Sequence, residues 1–327
     1  MELEAYFFRD LHSAVFMGTA SDRYAGWLGQ IYSPELYKGR TQKRERRLGQ
    51  KSFLEEVLPV DSLQEYFQHF EVLEVDFTFY APLLEKGRPT ANHRLLEMYR
   101  AHMGPKDRVI LKAPQLVTAQ VLRKANRFEA NPRYLDPELF TVGFYEPANR
   151  LLGSNLAAIV LEQEYQRKEG RVSPDEMARD LENFFRQIPG DDRYHLELRT
   201  PQYLVEPVFQ VMELYGVGQV LSHWSWLPPL AKQMKTSGGR FLKEGRAWVI
   251  RLMTPLGMRY EDAYAMAYPF DRVVEGMLQS RMIEETAQIL RVITQAQGLA
   301  YVIVNNRSGG NAPEIARMVA QRFLGLL

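Results

Sequence analysis

The chain contains no cysteine, which excludes a disulfide framework, thiolate metal ligands and a cysteine nucleophile. It also has almost no net charge. Its 41 Lys and Arg against 40 Asp and Glu leave a formal +1, so no whole-molecule field recruits nucleic acid or an anionic membrane, and any basic site has to be local. No stretch approaches the roughly 18 consecutive apolar residues of a membrane span. Residues 1–9, with Glu2 and Glu4, lack the basic start and apolar run of a secretory signal. The six histidines, His12, His69, His93, His102, His195 and His223, form no close-spaced ligand motif. Phosphate loop, dinucleotide fingerprint and nucleophile elbow are missing as well, so no nucleotide cofactor is expected. These absences point to a soluble cytoplasmic protein, with neither membrane nor nucleic acid among its expected partners.

What is present is a rhythm. With 46% hydrophobic residues the chain can bury a large core. About eight short apolar runs stop at a polar residue and lead into helix-forming sequence, at 14–20, 72–80, 108–114, 157–163, 194–200, 219–224, 247–253 and 300–306. This predicts an α/β fold, a TIM-type (β/α)₈ barrel formed as a single domain over 1–327. The stretch 21–59 after the first run exceeds the usual βα loop of about 2–6 residues, and predicts a long insertion at about 28–60. Its run Lys38, Arg40, Lys43, Arg44, Arg46, Arg47 and Lys51, with only Glu45 among acids, fits either a phosphate-contacting surface or a mobile solvated loop. Leu63, Tyr66, Phe67 and Phe70 have helical spacing, with Asp61 or Ser62 as cap. Ser173, Pro174, Asp175 and Glu176 form a strong helix start. The segment 115–137, with Pro132 and Pro137, reads as irregular.

In barrel enzymes the site lies at the carboxyl ends of the strands, where the loops converge above a packed interior. That rule selects Thr19, Glu74, Asp76, Lys112, Glu162, Glu197, Arg199, His223, Arg251, Asn305 and Asn306. Alternation in 72–80 places Glu74, Asp76 and Thr78 on one face, and alternation in 194–200 places His195, Glu197 and Arg199 together. A charge cluster of this kind is costly to bury unless each member is paired or serves a ligand. Two readings follow: a salt-bridge network that closes the barrel, or a site in which Lys112, Glu197, Glu74 and Asp76 supply acid–base chemistry while Thr19, Arg199, Arg251, Asn305, Asn306 and Gly310 anchor the substrate. The sequence Ser308, Gly309, Gly310, Asn311 before the last helix fits an anion held at a helix N-terminus, and equally a tight βα turn. Glu162, Glu197 and His223 end three successive strands and form an alternative divalent-metal set. A lone histidine such as His223 is more often a hydrogen-bonded structural residue than a ligand.

Taken together, Gly18 to Ser21 with Gly26 and Trp27, the helix 63–70, Glu74 with Thr78 to Tyr80, Lys112 to Pro114 with Thr118, Glu197 to Arg199, and Val304 to Asn306 with Gly310, Ala312 and Pro313 resemble the YecE-like family, domain of unknown function 72. The resemblance covers nearly the whole chain. It implies a TIM-type barrel of bacterial or archaeal distribution with a polar pocket at the strand ends, and it brings no established activity. Glu162 to Tyr165 replace the Gln-Leu-Pro-Pro stretch of relatives, and Asp76 stands where they carry Asn, so substrate preference is expected to differ.

Two functions are consistent with these features. One is an enzyme acting on a small phosphorylated or polyhydroxylated compound at the carboxyl-terminal face of the barrel, the anionic or polyol ligand being its expected partner. The other is a non-catalytic module that binds nucleic acid or protein through the basic insertion 38–51. The fold alone cannot choose between them.

Overall fold

In the computed structural model, which describes residues 6–124 and 127–326, eight parallel strands close into a barrel in sequential order. They are β1 Val15–Ala20, β2 Val72–Val75, β3 Arg108–Lys112, β4 Leu156–Gln163, β5 Tyr194–Leu198, β6 Gly218–His223, β7 Ala247–Leu252 and β8 Leu299–Val304. Closure is made by β1 against β8, with Val15 beside Ala300 and Thr19 beside Val304. Gly18 sits where β1 presses on β2. A Cβ there would lie 2.0 Å from the Val72 carbonyl oxygen, so this glycine serves strand packing rather than ligand approach.

Each strand is followed by a helix, as parallel crossovers require. Helix Pro174–Gln187 shows the local logic. The Ser173 side chain accepts from the Glu176 amide, and Met177, Ala178, Leu181, Phe184 and Phe185, spaced three and four apart, are buried. Helix Leu63–His69 begins without a side-chain cap; Ser62 already has helical dihedrals, and its hydroxyl donates back to the Pro59 carbonyl. Among the described residues no helix is long and apolar enough to cross a membrane. Residues 1–5, part of the segment read against a secretory signal, lie outside the described residues.

Alternation along the strands sorts the lumen into two storeys. Phe16, Val72, Ile110, Ala158, Val160, Val220, Val249, Tyr301 and Ile303 form an apolar cluster separate from the core between strands and helices. Two residues further along their strands stand Glu74, Lys112, Glu162, Ser222 and Arg251, so the apolar storey carries a polar one at the carboxyl ends.

Three expectations are corrected. First, β2 stops at Val75. The Asp76 carbonyl accepts from the Phe79 amide and turns the chain into a 3₁₀ turn, Phe77–Phe79, so Asp76 and Thr78 leave the lumen-facing alternation. Second, the segment read as irregular contains a helical turn, Gln115–Thr118, and a hairpin of Val121–Lys124 with Arg127–Ala130. Third, the basic insertion is not a solvated loop. Gln42–Leu48 and Lys51–Val57 pair as an antiparallel hairpin that docks on helix Tyr260–Ala267, its Phe53 ring 4.9 Å from that of Tyr264. Most of its cations are answered at short range: Arg44 and Arg46 by Glu55, Lys43 by Glu56, and Arg47 by Glu45.

Candidate active site at the barrel mouth

The polar storey is a closed set of ion pairs centred on Arg251, which is 1% exposed. Its guanidinium holds Glu74 in a bidentate fork, Nε to Oε2 and Nη2 to Oε1 both at 2.7 Å. It also pairs with Glu197 and reaches Glu162 Oε2 at 3.3 Å. Glu162 is shared further, with Lys112 Nζ at 2.6 Å and Arg199 at 2.7 Å. Three carboxylates therefore meet three cations, and the forked geometry is the kind that compensates desolvation. Burial opposes ionisation of Glu162, yet Arg199, Lys112 and Arg251 outweigh it and hold its carboxyl well below the usual range. The outer cations rest on aromatic faces, Lys112 3.8 Å from the Phe79 ring and Arg199 5.1 Å from that of Trp224.

Beside this layer opens a cleft of about 360 Å³ between the strand-1 and strand-2 loops and the docked hairpin. Ser21, with φ of 67°, makes the turn that carries Asp22 off the end of β1, a left-handed conformation that a side chain adopts only where its surroundings enforce it. Here the Ser21 amide donates to the Glu74 carbonyl and the Ser21 carbonyl accepts from Thr19 Oγ1. Asp22 is buried; its Oδ1 accepts from Tyr99 Oη at 2.9 Å, while Oδ2 has no partner. Burial pushes its carboxyl up to about 6, Asp76 adds to the rise, and Arg23 with the Tyr99 hydroxyl oppose it. Asp76, half-buried at the same cleft, is joined by no ion pair or side-chain hydrogen bond among the described residues. The remaining wall mixes aromatic rings, Tyr24, Phe77, Tyr80 and Tyr99, with charges of both signs from Arg23 and from the hairpin's Arg44, Arg46 and glutamates. Arg46 donates to Tyr260 Oη at 2.8 Å. Glu55 is held ionised against its own burial by Tyr264, Arg44 and Arg46.

Of the residues selected from sequence, Glu74, Lys112, Glu162, Glu197, Arg199 and Arg251 come together in the charge layer, and Glu74 and Asp76 reach the cleft. Others are spent on the fold. The Thr19 hydroxyl is shared between the Ser21 carbonyl and Tyr66 Oη. Asn305 Oδ1 accepts from the Arg307 amide. Asn306 Oδ1 takes both Trp27 Nε1 and the Ala312 amide, while its buried Nδ2 has no partner. Gly310 has φ of 111°, and a Cβ there would lie 2.3 Å from the Arg272 carbonyl oxygen, so it permits backbone contact rather than ligand approach.

The anion site expected at the last helix is closed for the same reason. In helix Ala312–Leu324 the first amide goes to Asn306, Pro313 has none, and the Glu314 amide goes to Asn311 Oδ1. The metal alternative meets a similar obstacle. The carboxylates of Glu162 and Glu197 are held by cations, and His223 turns Nδ1 to the Thr254 carbonyl at 3.1 Å, its imidazole pushed down to about 4 mainly by burial. Among the described residues no group of three His, Asp or Glu is placed to hold a metal ion.

Sequence reasoning missed Asp22, Arg23 and Tyr99. The signal for Asp22 was there: it stands two residues beyond β1, within the strand-end zone that the barrel rule selects. Tyr99 gave no such signal, because it reaches the cleft from helix Ala91–Ala101.

A family model described as "Protein of unknown function DUF72" matches residues 16–325. Among solved structures, the chain is similar to a DUF72 family protein from Thermotoga maritima, with TM-score 0.56 and 14% identity over 96% of this chain and 98% of that one. It is similar also to a DUF72 family protein from Enterococcus faecalis V583, with TM-score 0.54 and 16% identity over 96% of each. A search of curated proteins gave no match.

Proposed function

The chain belongs to the DUF72 family of unknown function, so its chemistry has to be read from its own side chains, and we propose that it is an enzyme that moves protons on a small, uncharged polyhydroxylated substrate held in the cleft. The observation that carries this reading is the pair of unspent carboxylates, Asp22 with an unpartnered buried oxygen and Asp76 without an ion pair. Their environments differ. Asp22, raised to about 6, keeps a proton to donate in mildly acidic solution, and Asp76, nearer to water, is the acceptor. Two carboxyls set apart by environment are the usual means by which a site runs acid and base steps together.

A polyol suits the cleft better than a phosphate. Its lining includes Asp22, Glu45, Glu55, Glu56, Glu74 and Asp76 against Arg23, Arg44 and Arg46, so acids outnumber bases, and Arg44 and Arg46 already pair with Glu55. The capped last helix offers no amides to an anion. Lys112, Glu197 and Arg251, in this reading, belong to the charge layer that fixes Glu74 beside the cleft and move no protons. The basic hairpin contributes a wall rather than a polyanion surface, which leaves the non-catalytic reading without a supporting observation.

The test is proton NMR of the protein incubated with neutral monosaccharides, alditols and pyranosides in parallel with sugar phosphates. Binding or turnover of a neutral compound that Asp22→Asn abolishes is the expected result. Preference for the phosphates, or an unchanged Asp22→Asn protein, would overturn it.

A further inference from the structure

Asp22 is held at two of its oxygens and free at the third. Its peptide carbonyl accepts from the Tyr24 amide at 2.8 Å and from Tyr32 Oη at 2.9 Å, which fixes the backbone just past the left-handed turn at Ser21. Its carboxyl Oδ1 accepts from Tyr99 Oη at 2.9 Å, and Oδ2, buried in a residue that lines the cleft, has no partner. Tyr32 and Tyr99 are both buried; burial raises their phenols well above the ordinary value, and Asp22 adds to each, so both keep their protons over the range in which Asp22 titrates. A phenol has one proton to give. Asp22 Oδ1 is the acceptor of the Tyr99 proton among the described residues, and Arg23, whose Cζ lies 5.7 Å from the centre of the Tyr99 ring, can only donate. The Tyr99 proton is thereby committed to Oδ1, and a neutral Asp22 has to carry its own proton on Oδ2.

We infer that Tyr99 is a positioning residue that assigns the acid proton of Asp22 to Oδ2, the oxygen left for the substrate, and that Arg23 answers the charge when this proton leaves. The inference rests on the reading of the cleft as an acid–base site for a polyol, and it narrows that reading to one atom. The ligand group that meets Asp22 is a neutral oxygen, a hydroxyl or an ether, with a lone pair to accept from Oδ2–H. In the transfer the Oδ2–H bond breaks, its electron pair stays on the carboxylate, and a new O–H bond forms on the substrate. The anion left behind keeps the Tyr99 bond, which is stronger to a charged acceptor. Arg23 is free to face it: its guanidinium donates to the Leu58 carbonyl at 3.4 Å and enters no ion pair among the described residues. Burial and Asp76 oppose the Asp22 anion, while Arg23 and the Tyr99 hydroxyl favour it. The phenols of Tyr32 and Tyr66 stand close by as neutral groups, and Glu74, the other acid on the β2 side, is committed to Arg251.

The experiment is a carbon NMR titration of the full chain labelled at its aspartate carboxyls, the Asp22 signal being the one that Asp22→Asn removes. Tyr99→Phe takes away the donor that favours the anion, so the Asp22 midpoint is expected to rise from about 6 by roughly one pH unit. Tyr32→Phe takes a hydroxyl from the peptide carbonyl instead and should leave the midpoint in place. With a neutral polyol that turns over, Tyr99→Phe should lower kcat about ten-fold with KM largely unchanged, and carry the alkaline limb of the pH profile upward with the NMR midpoint, a movement that a merely structural role would not produce. Asp22→Asn gives a second reading that leaves Tyr99 in place. Its carbonyl takes the Tyr99 proton only with the amide group at the Oδ2 position, so its thermal midpoint in mildly alkaline solution should match or exceed that of the wild type. An Asp22 midpoint that stays put in Tyr99→Phe, an equal rise in Tyr32→Phe, or a destabilised Asp22→Asn protein would overturn the assignment whatever the substrate. A midpoint that moves as expected while no neutral polyol binds would overturn the polyol reading and leave the placement of the proton standing.

Discussion

Two regions at the same end of the barrel are built from the same residue types and behave in opposite ways. In the lumen layer every carboxylate faces a cation: Glu74 faces Arg251, Glu197 faces Arg251, and Glu162 faces Lys112, Arg199 and Arg251. In the cleft next to it, Asp22 keeps an oxygen without a partner and Asp76 has no ion pair. Charge at a barrel mouth is therefore not by itself a sign of chemistry. Paired, it holds the strand ends in place; unpaired and buried, it is free to change protonation when a substrate arrives.

The contrast can be broken most forcefully at its centre. Arg251→Met strands Glu74 in the lumen, leaves Glu197 only Arg199, and is expected to cost about 3–5 kcal/mol; urea unfolding measures it, and a midpoint near wild type would mean that the layer does not hold the barrel. Asp22→Asn should do the reverse, reducing turnover of a neutral substrate on the order of a hundred-fold or more with no loss of stability. The pH dependence has a definite sign. The carboxyl is pushed up to about 6 in the folded chain against 3.8 for an ordinary aspartate, so ionisation is easier in the unfolded state. Stability owed to the neutral form is complete below 3.8, declines between the two values and is gone above about 6. Turnover that needs the proton falls over the upper part of the same range, and Asp22→Asn should flatten both profiles.

The hairpin lies between these extremes. Phe53→Ala removes its ring from Tyr264 and Tyr268 and is expected to cost about 1–2 kcal/mol while weakening ligand binding in the cleft, read by thermal melting and calorimetry. Smallest of all, Lys43, Arg47 and Lys51 changed together to Ala should alter stability by less than about 1 kcal/mol. A large fall in salt-dependent binding to any polyanion would instead revive the hairpin as an interaction surface.

How much of this was legible follows from where the information resides. The eight strands were legible because their ends are changes of polarity within the chain, as at Val160 to Glu162 or Ile250 to Arg251. The gathering of Glu74, Lys112, Glu162, Glu197, Arg199 and Arg251 followed from strand order, since neighbouring strand ends must meet. Their pairing did not, because whether Arg251 answers Glu74 or waits for a ligand depends on side-chain reach across the lumen, which spacing does not encode. The hairpin escaped notice because its less exposed alternation runs through Arg46, Leu48, Phe53, Glu55 and Val57, of which only Glu55 is buried, and charged residues at inward positions hide the pattern of two. Asp22 was passed over because the polar turn that carries it looks like the start of the insertion.

The docking of the hairpin on helix Tyr260–Ala267 joins the loop after β1 to the loop after β7. Those strands flank β8, so three adjacent strand ends share one continuous parapet, fastened by Arg46 to Tyr260, Glu55 to Tyr264 and the Leu54 carbonyl to Tyr268 Oη. The opposite arc carries the second hairpin, Val121–Lys124 with Arg127–Ala130, its base tied to the loop after β4 by Gln115 Nε2 donating to Glu164 Oε1 at 2.8 Å, and the exposed rings of Tyr80, Tyr165 and Trp226. The seam at which the first and last strands close the barrel is thus buckled a second time from outside, by side chains that belong to neither strand.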